Sequence, residues 1–242
     1  EVVVVKQCPI THAIIVGSDD RVYCCAVKKG LSPYDEFVVE TALKHREANG
    51  GEVTALALGV AVAVKVLKVA KAIGVDHIVR IDTEDEHDSN ALQSALATVL
   101  TEIGAEVVYC GKSAADTGAG STGPGIAERL GWASVSNVIS VAFENGLTVV
   151  APSEGGNARI SVPLPAVVSC DKGDMKVRKP NVKGIMQAKK AKVEVKTVAM
   201  QGSTVSVVAH SMPPAKPAGK SYEGGAAAAE VARLLRDEAN VI

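Results

Sequence analysis

YCGKSAADTGAGSTGPGIAERLGW, residues 109–132, joins a strand pattern to a helix pattern through a loop of small residues. A β-branched run ending at Val108 leads into this stretch, and a helical pattern through Ile126 and Leu130 leads out of it. A strand, a small-residue loop and a helix in this order bring free backbone amides and the positive end of a helix dipole to one point. The stretch therefore predicts an anion site on an α/β fold, with Pro124 at the first helical position, where a missing N–H costs nothing.

The same loop carries the glycine spacing of a dinucleotide-binding fingerprint, at Gly118, Gly120 and Gly123. That fingerprint needs a tight turn directly after the first strand of a βαβ unit, whereas several residues precede Gly118 here. A P-loop is also excluded, because no Lys-Ser or Lys-Thr pair follows the glycines. The residues alone leave two interpretations open. Either the amides and hydroxyls of Ser121 and Thr122, with the Gly123 amide, bind a phosphate, or the loop is a surface connection that caps the helix.

Composition restricts the class of protein. The 242 residues are 47% hydrophobic and 22% charged, with a net charge of −1, which provides enough apolar residues for a large core. Near-neutral charge and an aromatic content of only 3% argue against a nucleic-acid binder. The longest apolar run, residues 53–64, is too short to cross a bilayer, so we expect no membrane insertion. A secretory signal pattern is not visible at the start, where the sequence is EVVVV.

The metal-ligating residue types show no recognisable spacing. The five cysteines contain no CxxC pair, which favours buried thiols in a reducing compartment over disulfides or zinc. The five histidines are scattered, and His77 and His87 are expected to be solvated. We therefore predict no metal site and no catalytic residues.

Strand and helix patterns alternate through residues 1–132. A strong helix start lies at Ser32, the predicted cap, followed by Pro33 and the first-turn acids Asp35 and Glu36. Such alternation predicts a mostly parallel sheet with helices on both faces, a three-layer α/β/α Rossmann-like fold. Ligands of these folds bind beyond the carboxyl ends of the strands. The helix at Ser32 and the loop at Gly111 both begin at such ends.

The pattern changes after residue 132. Short strands are predicted at residues 135–143, 147–151, 158–162 and 165–170, separated by turn signals, which together indicate a β meander. Residues 174–192 are predicted to be a basic loop, residues 211–225 a proline-containing arm, and residues 226–242 a final helix. We therefore predict a nucleotide-binding domain over residues 1–198, and a C-terminal arm and helix over 199–242. The residues alone leave open whether this arm packs on a partner subunit or folds back on its own domain.

Taken together, these segments and their order resemble the small (β) subunit of electron transfer flavoprotein. No single motif carries the resemblance, but the ordered set is specific and spans nearly the whole chain. The matching segments are VVVVKQ at 2–7, SPYDEFVVETAL at 32–43, EVTALALG at 52–59, CGKSAADTGAGSTGPGIAERLGW at 110–132, LPAVVSC at 164–170 and KPNVKGIMQAKKAKVEV at 179–195.

The resemblance implies a heterodimer with an electron transfer flavoprotein α subunit that holds most of the redox FAD. Such a complex carries electrons from flavoprotein dehydrogenases to a downstream acceptor, and the β subunit has no substrate turnover of its own. The β subunit also binds an adenine nucleotide: a structural AMP in ordinary members, or a second FAD in flavin-bifurcating members. The location implied is the cytoplasm, or the mitochondrial matrix in a eukaryote.

The resemblance also carries a nucleotide site onto this sequence. Tyr34 falls where the family places an aromatic residue near the partner-held flavin. The implied cofactor-binding residues are Val4, Ser32, Pro33, Tyr34, Asp35, Leu58, Gly111, Lys112, Ser113, Ala114, Ala115, Asp116, Thr117, Gly118, Ala119, Gly120, Ser121, Thr122 and Gly123.

Two departures from the family pattern affect the subtype. Many bifurcating members read Gly-Asp-Thr after the first aspartate of the loop, whereas Asp116 is followed here by Thr-Gly-Ala, which favours AMP. In the segment that docks partner dehydrogenases, Val182 replaces the usual leucine and Lys-Gly replaces Pro-Asn. Val182, Ile185 and Met186, surrounded by lysines, are the predicted docking residues. An alternative of another class is a nucleotide-hydrolysing or nucleotide-sensing α/β domain, for which Asp116 is the only candidate acid in the loop.

Overall fold

The computed structural model describes residues 1–9, 15–19, 21–23, 27–83, 87–143, 146–216 and 218–242. Its contacts divide the chain into two compact units, residues 1–209 and residues 210–242. The boundary predicted at residues 198/199 stays a prediction. Of the residues singled out in the sequence, Cys24, Cys25 and one meander turn signal, at 144–145, lie outside the described part.

The first unit contains five α-helices and all the strands of the described part. The strands are β1 (Val2–Val4), β2 (Gln7–Pro9), β3 (Ile15–Val16), β4 (Val22–Tyr23), β5 (Lys29–Leu31), β6 (Thr54–Leu58), β7 (His77–Ile81), β8 (Val107–Gly111), β9 (Ala133–Val138), β10 (Ser140–Ala142), β11 (Leu147–Ser153), β12 (Gly156–Val162), β13 (Ala166–Cys170) and β14 (Glu194–Lys196). The helices are α1 (Pro33–Asn49), α2 (Val64–Ile73), α3 (Ser89–Glu102), α4 (Thr122–Leu130) and α5 (Val182–Lys190).

Seven strands form one parallel sheet in the order β14-β7-β6-β1-β8-β13-β9. Alternate residues of the central strands face opposite sides, and both sides are buried: Val3 and Tyr109 face α1 and α2, while Val2 and Val108 face α3 and α4. Near-continuous apolar strands are the signature of a sheet covered on both faces. The predicted three-layer α/β/α fold is confirmed.

A separate antiparallel sheet has the order β10-β11-β12. Gly155 takes a φ of 78° in the tight turn that pairs Ser153 with Gly156, a conformation that favours glycine. These strands form the predicted meander, but the prediction was wrong for two of its four strands. Residues 135–143 are not one strand, because β9 pairs with β13 in the main sheet and only β10 belongs to the meander. The fourth predicted strand, β13, lies inside the main sheet between β8 and β9.

Residues 174–192 are not a continuous loop, because α5 occupies half of the segment. Asn181 caps this helix by accepting a hydrogen bond from the Gly184 amide at 2.7 Å. Gly184 lets α5 approach α2, since a Cβ there would lie only 2.3 Å from the carbonyl oxygen of Ala72. The glycine that suggested a loop is therefore required for helix packing.

Two shorter predictions also need correction. Helix α4 begins at Thr122, so Pro124 is its third residue and not its first; its ring is tolerated there because the first-turn amides have no partner within the helix. A loop is also the interpretation that the sequence favours for residues 8–17, but its first residues, Cys8 and Pro9, belong to β2, which pairs antiparallel with β5.

The second unit, residues 210–242, contains one α-helix, α6 (Ala228–Asp237). Arg233 pairs with Glu230 at 2.8 Å and with Asp237 at 3.4 Å, which are helical neighbours. Val231 and Leu234 are only half-buried. The predicted C-terminal helix therefore forms, with an apolar stripe that this unit does not bury.

Candidate functional site

A pocket opens at the carboxyl edge of the central sheet, where β1 and β8 end and α3 and α4 begin. Its volume is about 130 Å³. This is the position at which open parallel sheets bind their ligands. We call it the edge pocket, and it is lined by Val4, Val5, Lys6, Asp35, His87, Ser89, Leu92, Cys110, Gly111, Lys112, Ser113, Ala114, Thr117, Ala119, Gly120 and Thr122.

The loop between β8 and α4 folds back on itself to form one wall. Gly118 and Gly120 both have φ values of 64°, in the left-handed region that favours glycine. The Gly118 amide donates a 2.8 Å hydrogen bond to the carbonyl oxygen of Ala114. A Cβ on Gly120 would lie 3.3 Å from the carbonyl oxygen of Lys112. These glycines allow the two ends of the loop to line the same pocket.

Gln93 fixes the start of α4 against α3. Its buried side-chain amide donates to the carbonyl oxygen of Ser121 at 2.9 Å and to the Ser121 hydroxyl at 3.3 Å. Gly125 lets this side chain approach, since a Cβ there would lie 2.2 Å from Gln93. Ser121 itself makes no side-chain capping bond. Within the described part of the chain, the first-turn amides of α4 therefore have no side-chain cap and can donate to an anionic ligand.

The N-terminus of α1 contains a buried hydroxyl without a partner. Pro33 is the first residue of α1, as predicted, and Ser32 stands directly before it. The prediction that Ser32 caps the helix was wrong, because its hydroxyl makes no capping bond. The hydroxyl is buried and has no hydrogen-bond partner within the described part of the chain. Such a group costs about 1–3 kcal/mol when unsatisfied, so it is suited to a polar ligand.

Asp35 brings a buried carboxyl group to the same pocket. It is 4% exposed, and its Oδ2 accepts a 2.7 Å hydrogen bond from the backbone amide of Lys6. Burial raises the pKa of Asp35 to about 7, and the negative charge of Asp116 adds to this rise, while the Lys6 amide opposes it. The carboxyl therefore titrates near neutrality.

Gly111 allows α1 to approach the end of β8. A Cβ at this position would lie 2.7 Å from Oδ1 of Asp35 and 2.9 Å from Cβ of Tyr34. Contacts this short do not occur, so any larger residue must displace α1. Gly111 thus brings the buried carboxyl and the small-residue loop together.

Two lysines of the edge pocket are held by carboxylates. Nζ of Lys6 lies 2.8 Å from Asp116, which also accepts the amide of Thr117 at 2.9 Å. Nζ of Lys112 lies 2.7 Å from Asp171. This hydrogen bond keeps the pKa of Lys112 above its ordinary value. Burial acts to raise the pKa of Asp171, but the hydrogen bonds from Lys112 and from the Lys172 amide, together with the charges of both lysines, lower it below its ordinary value. The two carboxylates thus orient both ammonium groups beside the loop.

Tyr34 lies beside the edge pocket and does not line it. Two ammonium groups approach its ring, with Nζ of Lys112 at 5.5 Å and Nζ of Lys172 at 5.7 Å from the centroid. Cations at this distance are attracted by the ring quadrupole. Tyr34 therefore forms part of a basic surface at the same edge of the sheet.

The structure brings ten of the predicted binding residues into the wall of the edge pocket: Val4, Asp35, Gly111, Lys112, Ser113, Ala114, Thr117, Ala119, Gly120 and Thr122. The other predicted binding residues lie outside its lining: Ser32, Pro33, Tyr34, Leu58, Ala115, Asp116, Gly118, Ser121 and Gly123. Of these, Gly123 faces the sheet, since a Cβ there would lie 2.8 Å from Sγ of Cys110 and 3.2 Å from Cβ of Ser169. A role in ligand binding stays a prediction for every residue of both groups.

Sequence reasoning missed several residues of the pocket. Lys6 belongs to the quoted VVVVKQ segment but was not assigned to the site. His87 was expected to be solvated, whereas it is half-buried, lines the pocket and hydrogen-bonds to Thr83. Ser89 and Leu92 come from the first turn of α3. The rule that ligands bind at carboxyl strand ends could have indicated this region, because α3 follows β7 at the same edge.

A larger cavity of about 380 Å³ lies between α1 and the ends of β9 and β13, lined in part by Lys44, Phe143 and Met175. Size alone would favour it over the edge pocket. We assign the candidate site to the edge pocket because an uncapped helix N-terminus, a glycine loop and the buried Asp35 converge there.

A second candidate surface lies on α5. The side chains of Val182, Ile185 and Met186 are 76%, 43% and 58% exposed. Val182 and Met186, with Lys183, Gln187 and Lys190, line a shallow depression on this helix. The opposite side of α5 packs on α2 through Ala188, which is buried. We call the exposed side the α5 surface.

The described residues offer little support for a metal site, a membrane span or a reactive thiol. No group of three or more metal-ligating side chains is present there, and none of the helices described is long and apolar enough to span a membrane. Cys8, Cys110 and Cys170 are free and buried. Burial raises the pKa of Cys8 to about 11 and that of Cys170 to about 12, so neither is a reactive thiolate near neutral pH.

The fold and the edge pocket define a doubly wound α/β protein with a small-residue loop at the carboxyl edge of its sheet. A family model described as an electron transfer flavoprotein domain matches residues 22–200. Proteins named electron transfer flavoprotein subunit beta are similar along almost their whole length. That of Syntrophomonas wolfei is 32% identical over 223 residues, covering 91% of this chain and 88% of the relative. That of Bacillus subtilis is 31% identical over 226 residues, with 88% of each covered. That of Mycobacterium tuberculosis is 33% identical over 252 residues, covering 93% of this chain and 94% of the relative.

The chain therefore belongs to the electron transfer flavoprotein family, among its β subunits.

Proposed function

We propose that the chain is the β subunit of a heterodimeric electron transfer flavoprotein, and that it binds a structural AMP in the edge pocket. The complex would carry electrons from flavoprotein dehydrogenases to a downstream acceptor through FAD held mainly by the α subunit. FAD supplies the redox chemistry when bound, and this chain supplies position and electrostatics without substrate turnover. The observation that carries the nucleotide assignment is the convergence of the uncapped α4 N-terminus, the glycine loop and the buried Ser32 hydroxyl at one edge of the sheet.

The residues present suit an adenine nucleotide. The first-turn amides of α4 and the Thr122 hydroxyl would hold the phosphate, with Lys6 and Lys112 supplying positive charge. The Ser32 hydroxyl would gain the hydrogen bond that it lacks within the described chain. Val4 and Leu92 offer apolar wall for the base.

A second FAD is the alternative occupant, as in a flavin-bifurcating complex. The Thr-Gly-Ala sequence after Asp116 supports AMP. The two occupants can be distinguished by denaturing the purified complex and identifying the released nucleotides by mass spectrometry. One FAD with one AMP per heterodimer is expected. Two FAD and no AMP would establish the bifurcating type, and no adenine nucleotide other than one FAD would overturn the assignment of the edge pocket.

The lone chain is expected to hold no redox flavin, since its one predicted nucleotide loop is assigned to AMP. Expression alone and with an α-type subunit tests this expectation. A yellow lone chain with stoichiometric FAD would count against AMP and favour the two-flavin type.

A nucleotide-hydrolysing domain has less support. Its candidate acid, Asp116, is held by the ammonium group of Lys6 and by the amide of Thr117. A carboxylate so engaged orders the loop backbone and is poorly placed to act as a general base.

We also propose that the α5 surface docks the partner dehydrogenases through Val182, Ile185 and Met186. Their exposure on a helix anchored by Ala188 and Gly184 supports this role. Exposed apolar anchors within a polar rim are typical of transient interfaces. The surrounding lysines would steer an acidic partner.

The amphipathic helix α6 and the arm before it are proposed to pack on the α subunit, as the predicted domain of residues 199–242. We place the complex in the cytoplasm, or in the mitochondrial matrix of a eukaryote. The three free buried cysteines agree with a reducing compartment.

A further inference from the structure

Asp88 stands between two residues that line the edge pocket, His87 and Ser89. Its Oδ1 accepts a 2.9 Å hydrogen bond from the amide of Ala91 and thereby caps α3. A capping aspartate normally leaves its other oxygen to water. Here the second oxygen has protein partners that lie far along the chain.

Oδ2 of Asp88 accepts three hydrogen bonds from the segment that precedes the C-terminal unit. The donors are the Thr204 amide at 2.6 Å, the Thr204 hydroxyl at 2.8 Å and the Val205 amide at 3.0 Å. The Asp88 amide in turn donates to the Ser203 hydroxyl at 3.0 Å. We call these four contacts the Asp88 clamp. The hydrogen bond from the Ala91 amide, and next those from Thr204, hold the pKa of Asp88 well below its usual range. Asp88 therefore accepts the hydrogen bonds of the clamp as a charged carboxylate.

The clamp holds the point at which the tail leaves the first unit. Just beyond it, the side chains of Val205, Val207 and Val208 are 71%, 72% and 96% exposed. The compact first unit ends at residue 209. The clamp therefore determines where the exposed valines and the following arm begin.

We propose that Asp88 is a positioning residue that couples nucleotide occupancy of the edge pocket to the ordering of the tail. A nucleotide held against His87 and Ser89 orders the backbone that carries Asp88, and this backbone orders residues 203–205. Ordering that is shared between two sites makes binding at one favour the other, and the coupling is reciprocal. The tail, which the proposed function assigns to the α subunit, is then presented correctly only when the nucleotide is bound. The inference rests on that proposed function.

Asp88→Ser separates the clamp from the helix cap. Serine is as good an N-cap as aspartate, but its single hydroxyl is too short to reach the tail as well. Asp88→Ala removes both the clamp and the helix cap, so its comparison with Asp88→Ser shows the cost of losing the cap. Thr204→Pro breaks the clamp from the tail side, because proline has neither the amide hydrogen nor the hydroxyl.

The measurement is hydrogen exchange of the full-length chain, followed by mass spectrometry of its peptides, with and without saturating AMP. In the unmodified chain, AMP should slow exchange both in the loop peptide 111–122 and in the tail peptide 203–208, the latter by about five-fold or more. In Asp88→Ser and Thr204→Pro, AMP should still slow exchange in the loop peptide but no longer in the tail peptide. Because the coupling is reciprocal, the affinity for AMP should fall by a factor similar to the protection lost in the tail.

The outcomes distinguish this inference from the proposed function. AMP protection of the loop with an unresponsive tail in the unmodified chain overturns the coupling and leaves the nucleotide site intact. An equal tail response in Asp88→Ser also overturns it, because the response then travels by another route. If AMP changes neither peptide, the nucleotide site itself is wrong and the coupling falls with it.

Discussion

The edge pocket and the α5 surface are built in opposite ways. The pocket collects buried or half-buried polar groups on the rigid carboxyl edge of the sheet, including Asp35 at 4% exposure. The α5 surface instead presents apolar side chains on a helix outside the sheet, including Val182 at 76% exposure. Buried polar groups need a permanent partner, whereas exposed apolar groups gain most from a temporary one. The contrast indicates a permanently bound ligand in the pocket and a transiently bound partner at α5.

The largest effect on nucleotide binding is expected from Gly111→Ala, which disturbs the approach of α1 to the end of β8. The new Cβ would clash with Asp35 and Tyr34 and displace α1, lowering the free energy of unfolding by about 1–3 kcal/mol and emptying the nucleotide site. Melting curves and the nucleotide content of the purified complex measure both effects. Gly202→Ala is the matched control, because open space surrounds that position. Unchanged nucleotide content in Gly111→Ala would show that the ligand binds elsewhere.

A pH-dependent effect is expected from Asp35→Asn, which keeps an oxygen acceptor for the Lys6 amide. Because burial raises the pKa of Asp35 from 3.8 to about 7, the folded chain binds a proton that the unfolded chain has lost between these values. The wild type therefore loses stability as pH rises from about 4 to 7, and the full cost, on the order of a few kcal/mol, is present above that.

The variant should accordingly melt higher than the wild type at pH 8 and close to it near pH 4. The titratable neighbours are Lys6, which opposes the shift, and Asp116, which adds to it. A difference in melting temperature that does not change with pH would refute the titration of Asp35.

A smaller effect on stability, but a clear one on function, is expected from Val182→Ala and Ile185→Ala. Loss of exposed contacts should change the free energy of unfolding by less than about 0.5 kcal/mol, while reduction of the flavin by the partner dehydrogenase slows. Val69→Ala on α2 is the control, since that valine is also exposed, at 41%, but lies outside the proposed docking residues. Normal transfer rates in both variants at every partner concentration would exclude docking at this helix.

The smallest effect is expected from Lys190→Gln at the border of the same surface. Removing one steering charge should slow association with the dehydrogenase by a factor of about two at low salt, and the difference should disappear near 1 M salt, where the screening length is about 3 Å. Stopped-flow rates over a salt series provide the measurement. A difference that persists at high salt would indicate a direct contact in place of steering.

Patterns that depend on neighbours in the chain were readable from the sequence. The parallel sheet, the start of α1 at Pro33 and the strand-loop-helix at residues 109–132 follow from hydrophobic period and turn chemistry, which are local properties. The position of β13 was not readable, because apolar strand residues suit a meander and a central strand equally well. Tertiary packing, which is not a local property, determines that β13 pairs with β8 and β9.

The parts of the site that were missed depend on contacts between distant residues. Gly184 suggested a loop, yet it is the residue that lets α5 approach Ala72. Ser32 is a residue type typical of helix caps, yet its hydroxyl makes no capping hydrogen bond. Gln93 and Lys6 act on residues 28 and 110 positions away. A pattern read along the chain cannot identify such partners.

The place of β13 in the sheet has a consequence for synthesis of the chain. While residues 166–170 are still in the ribosome, β8 lacks its neighbour on one side and β9 has no strand to pair with. An unpaired, apolar central strand is a template for association with other chains. Nascent or truncated forms that end before Ala166 are therefore expected to depend on chaperones and to precipitate, whereas forms that end after Lys196, where the last edge strand is complete, should remain in solution.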